Sequence, residues 1–234
     1  MNKLIIITLL TCFVVPFTFA QEKAYQIYNK DGNKISYKTM VFKAKKVDVV
    51  LFGENHNDPI SHWLQLELTK SLHEKHGADL MLGAEMLESD NQVVLDEYLL
   101  GFSREKDFEK EAKIWPNHKT DYRPLLRFAK DNDLHFVATN IPRRFANMVY
   151  RFGVDTLAYL PEASKQFIAP LPMAYDTSLH CYKEISIMAG GHGGENLPKS
   201  QAIKDATMAH FIHENMKEDT KFIHYHGSYH SKYH

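Results

Sequence analysis

Cysteine is nearly absent: 234 residues hold two, Cys12 and Cys181. Cys12 lies in an apolar N-terminal stretch, so removal of a leader ending at Ala20 leaves Cys181 alone and no internal disulfide can form. A packed core must hold the fold, and a 44% hydrophobic content suffices to build one. No Cys-centred catalytic signature surrounds Cys181, which reads as a half-buried structural thiol. A surplus of one charge is also missing. Lys and Arg number 28 against 29 Asp and Glu, which argues against a general nucleic-acid binder and is silent about small polar ligands. Solenoid repeats are absent, and so is any apolar run of spanning length beyond the N-terminus.

That N-terminus is a targeting signal. Met1-Asn2-Lys3 is a short basic segment, Leu4 to Val15 is apolar, and Thr18-Phe19-Ala20 fits a signal-peptidase site. A cleaved secretory leader over residues 1–20 is expected, with a secreted, periplasmic or cell-envelope destination. Lipidation at Cys12 is the weaker alternative, because Thr11 fits poorly before a lipidated cysteine.

Residues 21–234 read as one domain. A hairpin around Asp31-Gly32-Asn33 opens it. Val47 to Phe52 is a buried strand. Asp58 caps a helix with Pro59 in its first turn, Ile60, Trp63, Leu64, Leu68 and Leu72 follow at helical spacing, and Gly77 closes it. Asp79 to Ala84 reads as a second strand that delivers Glu85. Ser89 with Gln92 predicts a capping box. Tyr122 to Asn132 is helical, Leu134 to Ala138 is a strand delivering Asn140, and Pro142 opens a helix ending at Gly153. Residues 155–197, rich in Pro, aromatics and Met, break the rhythm as a helical lid or insertion. A long helix from Ser200 and a last strand, Lys221 to His226, close the chain. The alternation predicts an α/β fold: a mostly parallel sheet flanked by helices.

Two Gly-x-x-His tetrapeptides, Gly53-Glu54-Asn55-His56 and Gly227-Ser228-Tyr229-His230, follow the first and last of these strands. With 11 Gly and 14 His in 234 residues, about 0.7 such tetrapeptides arise by chance, so their placement carries the meaning. The C-terminal ends of parallel strands share one edge, where α/β proteins place their ligands. Glu54, His56, Glu85 and His230 meeting there would suit a Mn, Co or Zn ion, with one glutamate as general base. Equally, the glutamates would cap helices or pair with Arg143 or Arg144. His224 and His226 point to one side of their strand, with Tyr225 opposite. Asp205 or Gln201, on one face of the long helix, would orient a site histidine. Arg143 and Arg144 are placed to receive a carboxylate. His62 is placed to face the same pocket, whereas His192 reads as a loop residue.

These segments, with Asp121 to Leu125 and Asn140 to Arg143, resemble the ChaN-like haem-binding lipoproteins of the Tiki and erythromycin-esterase superfamily. The likeness spans nearly the whole mature chain. It implies a haem-binding envelope protein of iron uptake, a homodimer with two stacked haems, a tyrosine iron ligand, and an envelope haem-uptake receptor as partner. Tyr175 and Tyr182, in the Met-rich insertion, are the candidate ligand tyrosines, and Arg143 a candidate propionate contact. Lacking Cys-x-x-Cys-His, the chain would bind haem non-covalently. The Tiki branch implies instead a metal-dependent hydrolase in which Glu54 and Glu85 are catalytic and His56 and His230 join them as metal ligands. Whether the chain is an enzyme stays open at this point. The family pattern also extends beyond His234, which implies a longer natural chain.

Overall fold

A computed structural model describes residues 24–188 and 194–232. The predicted leader with Cys12, the loop histidine His192 and the terminal His234 lie outside these residues.

A short antiparallel hairpin, β1 (Ile27–Tyr28) and β2 (Lys34–Ile35), opens the chain as its Asp-Gly-Asn turn implies. It is followed by α1 (Tyr37–Ala44), which the sequence reading left out and which Ser36 caps through its side chain. Then come β3 (Val49–Glu54) and α2 (Pro59–His76), started by the Asp58 side chain accepting from the Ile60 N–H and stopped at Gly77, whose φ is 54°. Next are β4 (Leu80–Glu88), α3 (Gln92–Leu99), α4 (Glu105–Glu111), α5 (His118–Asp121) and α6 (Arg123–Asp131). The chain continues through β5 (Phe136–Asn140), α7 (Arg143–Phe152), α8 (Glu162–Lys165), α9 (His180–Met188), α10 (Asn196–Asn215) and β6 (Lys221–Gly227).

Four strands form one parallel sheet in the order β3-β6-β4-β5. The last strand thus slots between the first two and pairs with both. β4, β5 and β6 are buried along their full length, which explains their near-continuous apolar runs, whereas β3 is an edge strand with Leu51 exposed. One face of the sheet packs Leu82, Ala84, Ile223 and Tyr225 against α2, α3 and α6 through Leu68, Leu72, Leu95, Leu125 and Leu126. The other packs Met81, Val137 and Phe222 against Phe211, Ile212 and Met216 at the end of α10. Each such Leu or Phe contributes roughly 1.5–3 kcal/mol by leaving water.

Two local expectations are overturned. Ser89 and Gln92 form no capping box: the Ser89 hydroxyl donates to the Phe167 carbonyl, and Gln92 bonds Asp96 and the β5 backbone at Phe136 and Ala138. Tertiary partners outbid the local cap, because Gln92 lies within reach of the backbone of β5. Glu85 does not end its strand either. β4 runs on to Glu88, and its register against β5 shifts between Ala84 and Glu88.

Candidate functional site

The C-terminal ends of β3, β6 and β5, with the irregular last turn of β4, bring Glu54, Gly227, Asn140 and Glu85 together as parallel pairing dictates. Glu54 sits opposite Gly227 in the β3–β6 ladder. The two Gly-x-x-His turns then pack reciprocally. A Cβ on Gly53 would meet Ser231 Oγ at 2.9 Å and Ser228 Cα at 3.0 Å, and a Cβ on Gly227 would meet the His56 ring at 2.8 Å. Each glycine is required by the other turn's approach.

His56 is held from behind. Its Nδ1 lies 2.9 Å from Glu54 Oε1, and Tyr122 donates to the same oxygen at 2.6 Å. Gln65 Nε2 donates to Glu54 Oε2. Glu54 is 2% exposed, so these donors are what make its burial tolerable. The His56 carbonyl accepts from His62 Nε2 at 3.0 Å and Asn117 Nδ2 at 2.8 Å, which fixes the turn itself. Trp115 meets the His56 ring edge-on, with centroids 4.8 Å apart. With Nδ1–H given to Glu54, the imidazole presents Nε2 outward. The hydrogen bond that His56 donates to Glu54 raises the His56 pKa above its ordinary value, against the opposing effect of burial. His62 does not reach the cleft; it supports the turn from the α2 side, near Glu54 and Asp121.

His230 has the opposite environment. Its Nε2 lies 3.2 Å from Glu85 Oε1 and its Nδ1 2.5 Å from Asp205 Oδ1. Burial opposes its charge, but the two carboxylates hold it as an imidazolium, up to about 9. Glu85 answers in kind. Burial would raise its pKa, yet His230 and the Gly227 N–H, 2.8 Å from Oε2, hold it at about 2. Asp205 also accepts from the Tyr182 hydroxyl at 3.1 Å. Asp205 is therefore the residue that orients the site histidine, and Gln201 instead lines the cleft and accepts from Lys204.

Glu54, His56, Glu85 and His230 do converge, but as hydrogen-bonding pairs and not as a ring of free donors. A doubly protonated His230 has no lone pair for an ion, and both Glu85 oxygens are engaged. Among the described residues, no three or more His, Cys, Asp or Glu side chains cluster to hold a metal ion.

Above these pairs opens a cleft of about 750 Å³, in the size range of small-molecule sites. His56, Glu85, His230, Asn140 and Arg143 all line it. So do Trp115, Tyr150, Tyr229 and Lys204, which sequence reasoning did not single out; Tyr150 and Lys204 show only as positions on helix faces. Asn140 Nδ2 donates to the Glu85 carbonyl at 2.9 Å, while its buried Oδ1 has no partner. Arg143 is exposed on the wall, its Nε 3.9 Å from Glu88, while Arg144 is bound to Asp90. The insertion tyrosines lie elsewhere. Tyr182 lines a side cavity of about 120 Å³ with Cys181, and Tyr175 packs against it at a tilt of 37°, ring centroids 5.3 Å apart. Burial and Asp205 push the Tyr182 hydroxyl to a higher pKa, which keeps its proton on. His224 and His226 do share one side, with Tyr225 opposite and bonded to Thr69, but both are buried rather than an exposed ladder.

A parallel α/β sheet that gathers an oriented imidazole, cations and tyrosines around one cleft at its strand ends defines a small-ligand-binding protein. Residues 40–234 match the family described as haem-binding uptake, Tiki superfamily, ChaN, and the chain belongs to it. Among solved structures, ChaN of Campylobacter jejuni, reported with cofacial haem, is 18% identical, with a TM-score of 0.62 over 85% of this chain and 77% of that one. The C-terminal region of Pasteurella multocida toxin is 17% identical, with a TM-score of 0.48 over 83% of this chain and 21% of that one. A toxin effector domain from Vibrio vulnificus is 17% identical, with a TM-score of 0.43 over 77% and 27%. The likeness to ChaN concerns the fold. No curated protein matches in sequence.

Proposed function

We propose that the protein binds haem in the 750 Å³ cleft and serves haem or iron uptake at the cell envelope. One observation carries this beyond family membership: His56 is anchored through Nδ1 to Glu54, so its Nε2 faces a cleft that also holds Arg143, Lys204 and tyrosine side chains. The residues fit the group. An imidazole or phenolate would hold the iron, Arg143 and Lys204 would receive propionates, and Trp115 and Ile141 supply apolar wall. Iron bound there would supply the visible absorption by which loading is measured. Tyr150 and Tyr229 are the tyrosines nearest to hand, ahead of Tyr182 and Tyr175. The leader expected over residues 1–20 agrees with this location. Among the described residues no helix is long and apolar enough to cross a membrane. Two copies facing each other across the cleft mouth, and transfer to an envelope receptor, complete the proposal.

The test is a hemin titration of the full chain, followed by its Soret band, for wild type and for His56→Ala, Tyr150→Phe, Tyr229→Phe, Tyr175→Phe and Tyr182→Phe. A saturable shift that weakens in His56→Ala or in a cleft tyrosine variant is expected. If all five variants bind as wild type does, or if no saturable shift occurs, this function is wrong.

A further inference from the structure

A second hollow, of about 600 Å³, lies on the α10 face of the sheet, over β3 and β6. Its lining is largely apolar, with Val49, Leu51 and Ile212, but it holds two thioethers, Met208 and Met216. His226 borders it and is 2% exposed, and its Nε2 has no hydrogen-bond partner. An orphan nitrogen at that depth is costly unless something meets it.

The other end of the imidazole is not orphaned. His226 Nδ1 lies 3.0 Å from His224 Nδ1, and His224 Nε2 lies 2.7 Å from Thr139 Oγ1. One nitrogen of the Nδ1 pair must carry the proton. When Thr139 accepts from His224 Nε2–H, His226 donates through Nδ1–H and keeps a lone pair on Nε2. A ligating histidine is characteristically anchored in this way, by its second N–H.

Asp205 of α10 meets His230 at the strand ends, and Ile212 packs with Phe222 lower on β6. The helix therefore runs antiparallel to β6, and Met208, one turn after Asp205, falls beside the stretch that holds His226. The His226 and His230 rings are 6.4 Å apart.

We propose that this hollow is a site for a soft monovalent metal ion, Cu(I) by chemistry, held by His226 Nε2 and Met208 Sδ. Thioether and imidazole donors select such an ion, which also tolerates low coordination. Ions that require three or four His, Cys or carboxylate donors are not served among the described residues. The site is separate from the haem proposal and stands or falls without it.

The probe is Ag(I), a redox-inert stand-in for Cu(I), added to the haem-free full chain carrying Cys181→Ser so that the thiol does not compete. One equivalent should bind, shifting the Met208 methyl resonance in a methionine-methyl NMR spectrum. His226→Gln should abolish that shift, and Met208→Leu should abolish the one-equivalent binding followed by calorimetry, with melting temperature as the check on folding. Thr139→Val, which removes the anchor of the imidazole pair, should weaken binding on the order of 10- to 100-fold. An unmoved Met208 methyl, or wild-type binding in Met208→Leu, overturns the proposal. Loss of binding only in His213→Ala, at the exposed histidine that also lines the hollow, would overturn it too, since that marks a surface histidine as the site.

Discussion

Gly227 carries more of the cleft than any side chain in its turn. A methyl group there would sit 2.8 Å from His56 Cε1 and 2.9 Å from Nε2, while Glu54 holds the far side of the ring. Overpacking of this kind costs about 1–3 kcal/mol. Gly227→Ala should fold, melt a few degrees lower, and bind hemin more weakly because the imidazole must tilt off Glu54. A lowered melting temperature with unchanged hemin affinity would show that ring placement does not govern binding. Spacing exposed both turn glycines and both histidines but could not assign their chemistry. His56 and His230 sit at the same position of two Gly-x-x-His tetrapeptides. One presents a free nitrogen and the other is a locked cation, because Glu85 and Asp205, from distant elements, reach only the second.

At the scale of elements, most of the sheet is legible because burial on both faces demands uninterrupted apolar runs, as in β4 and β6. The start of α2 is legible because Asp58 and Pro59 act locally. The capping box at Ser89 misled because both side chains had better partners across space. The order β3-β6-β4-β5 is not visible at all, since strand neighbours are set by which apolar faces fit. Tyr150 and Lys204 reach the cleft only once α7 and α10 are laid against the sheet. The insertion shows its attachment plainly: the Tyr182 hydroxyl on α9 bonds Asp205 on α10. Losing that bond removes about 0.5–1.5 kcal/mol of local hold. Tyr182→Phe should speed amide hydrogen exchange over residues 180–188 and leave β6 unchanged. Equal exchange in both proteins, or faster exchange everywhere, would show that α9 is not held there.

For the whole molecule, the buried histidines pull stability in opposite directions with pH. His230 is raised from 6.5 to about 9, so its contribution is full below 6.5 and lost as pH rises through about 9. That is worth on the order of 3 kcal/mol. His226 is lowered from 6.5 to about 4, so stability falls as pH drops from 6.5 towards 4, where the unfolded chain protonates first. Glu85, lowered from 4.5 to about 2, adds a further loss as pH falls through about 2. Melting temperature should therefore peak slightly below neutral pH. In His230→Gln the alkaline decline should flatten; an unaltered decline would assign it to another group.

The interlocked glycine turns also set an order of events. Gly53 and Gly227 belong to strands that pair directly, although the other two strands of the sheet and nearly every helix lie between them in the chain. Parallel pairing across so long a stretch is slow, because the loop must close before the contact rewards it. The Gly53 turn lacks its counterpart, and the cleft its Gly227 and His230 wall, until β6 slides between β3 and β4. A chain still emerging holds one half of the grip. The cleft is thus completed only in the finished molecule, once its last strand is home.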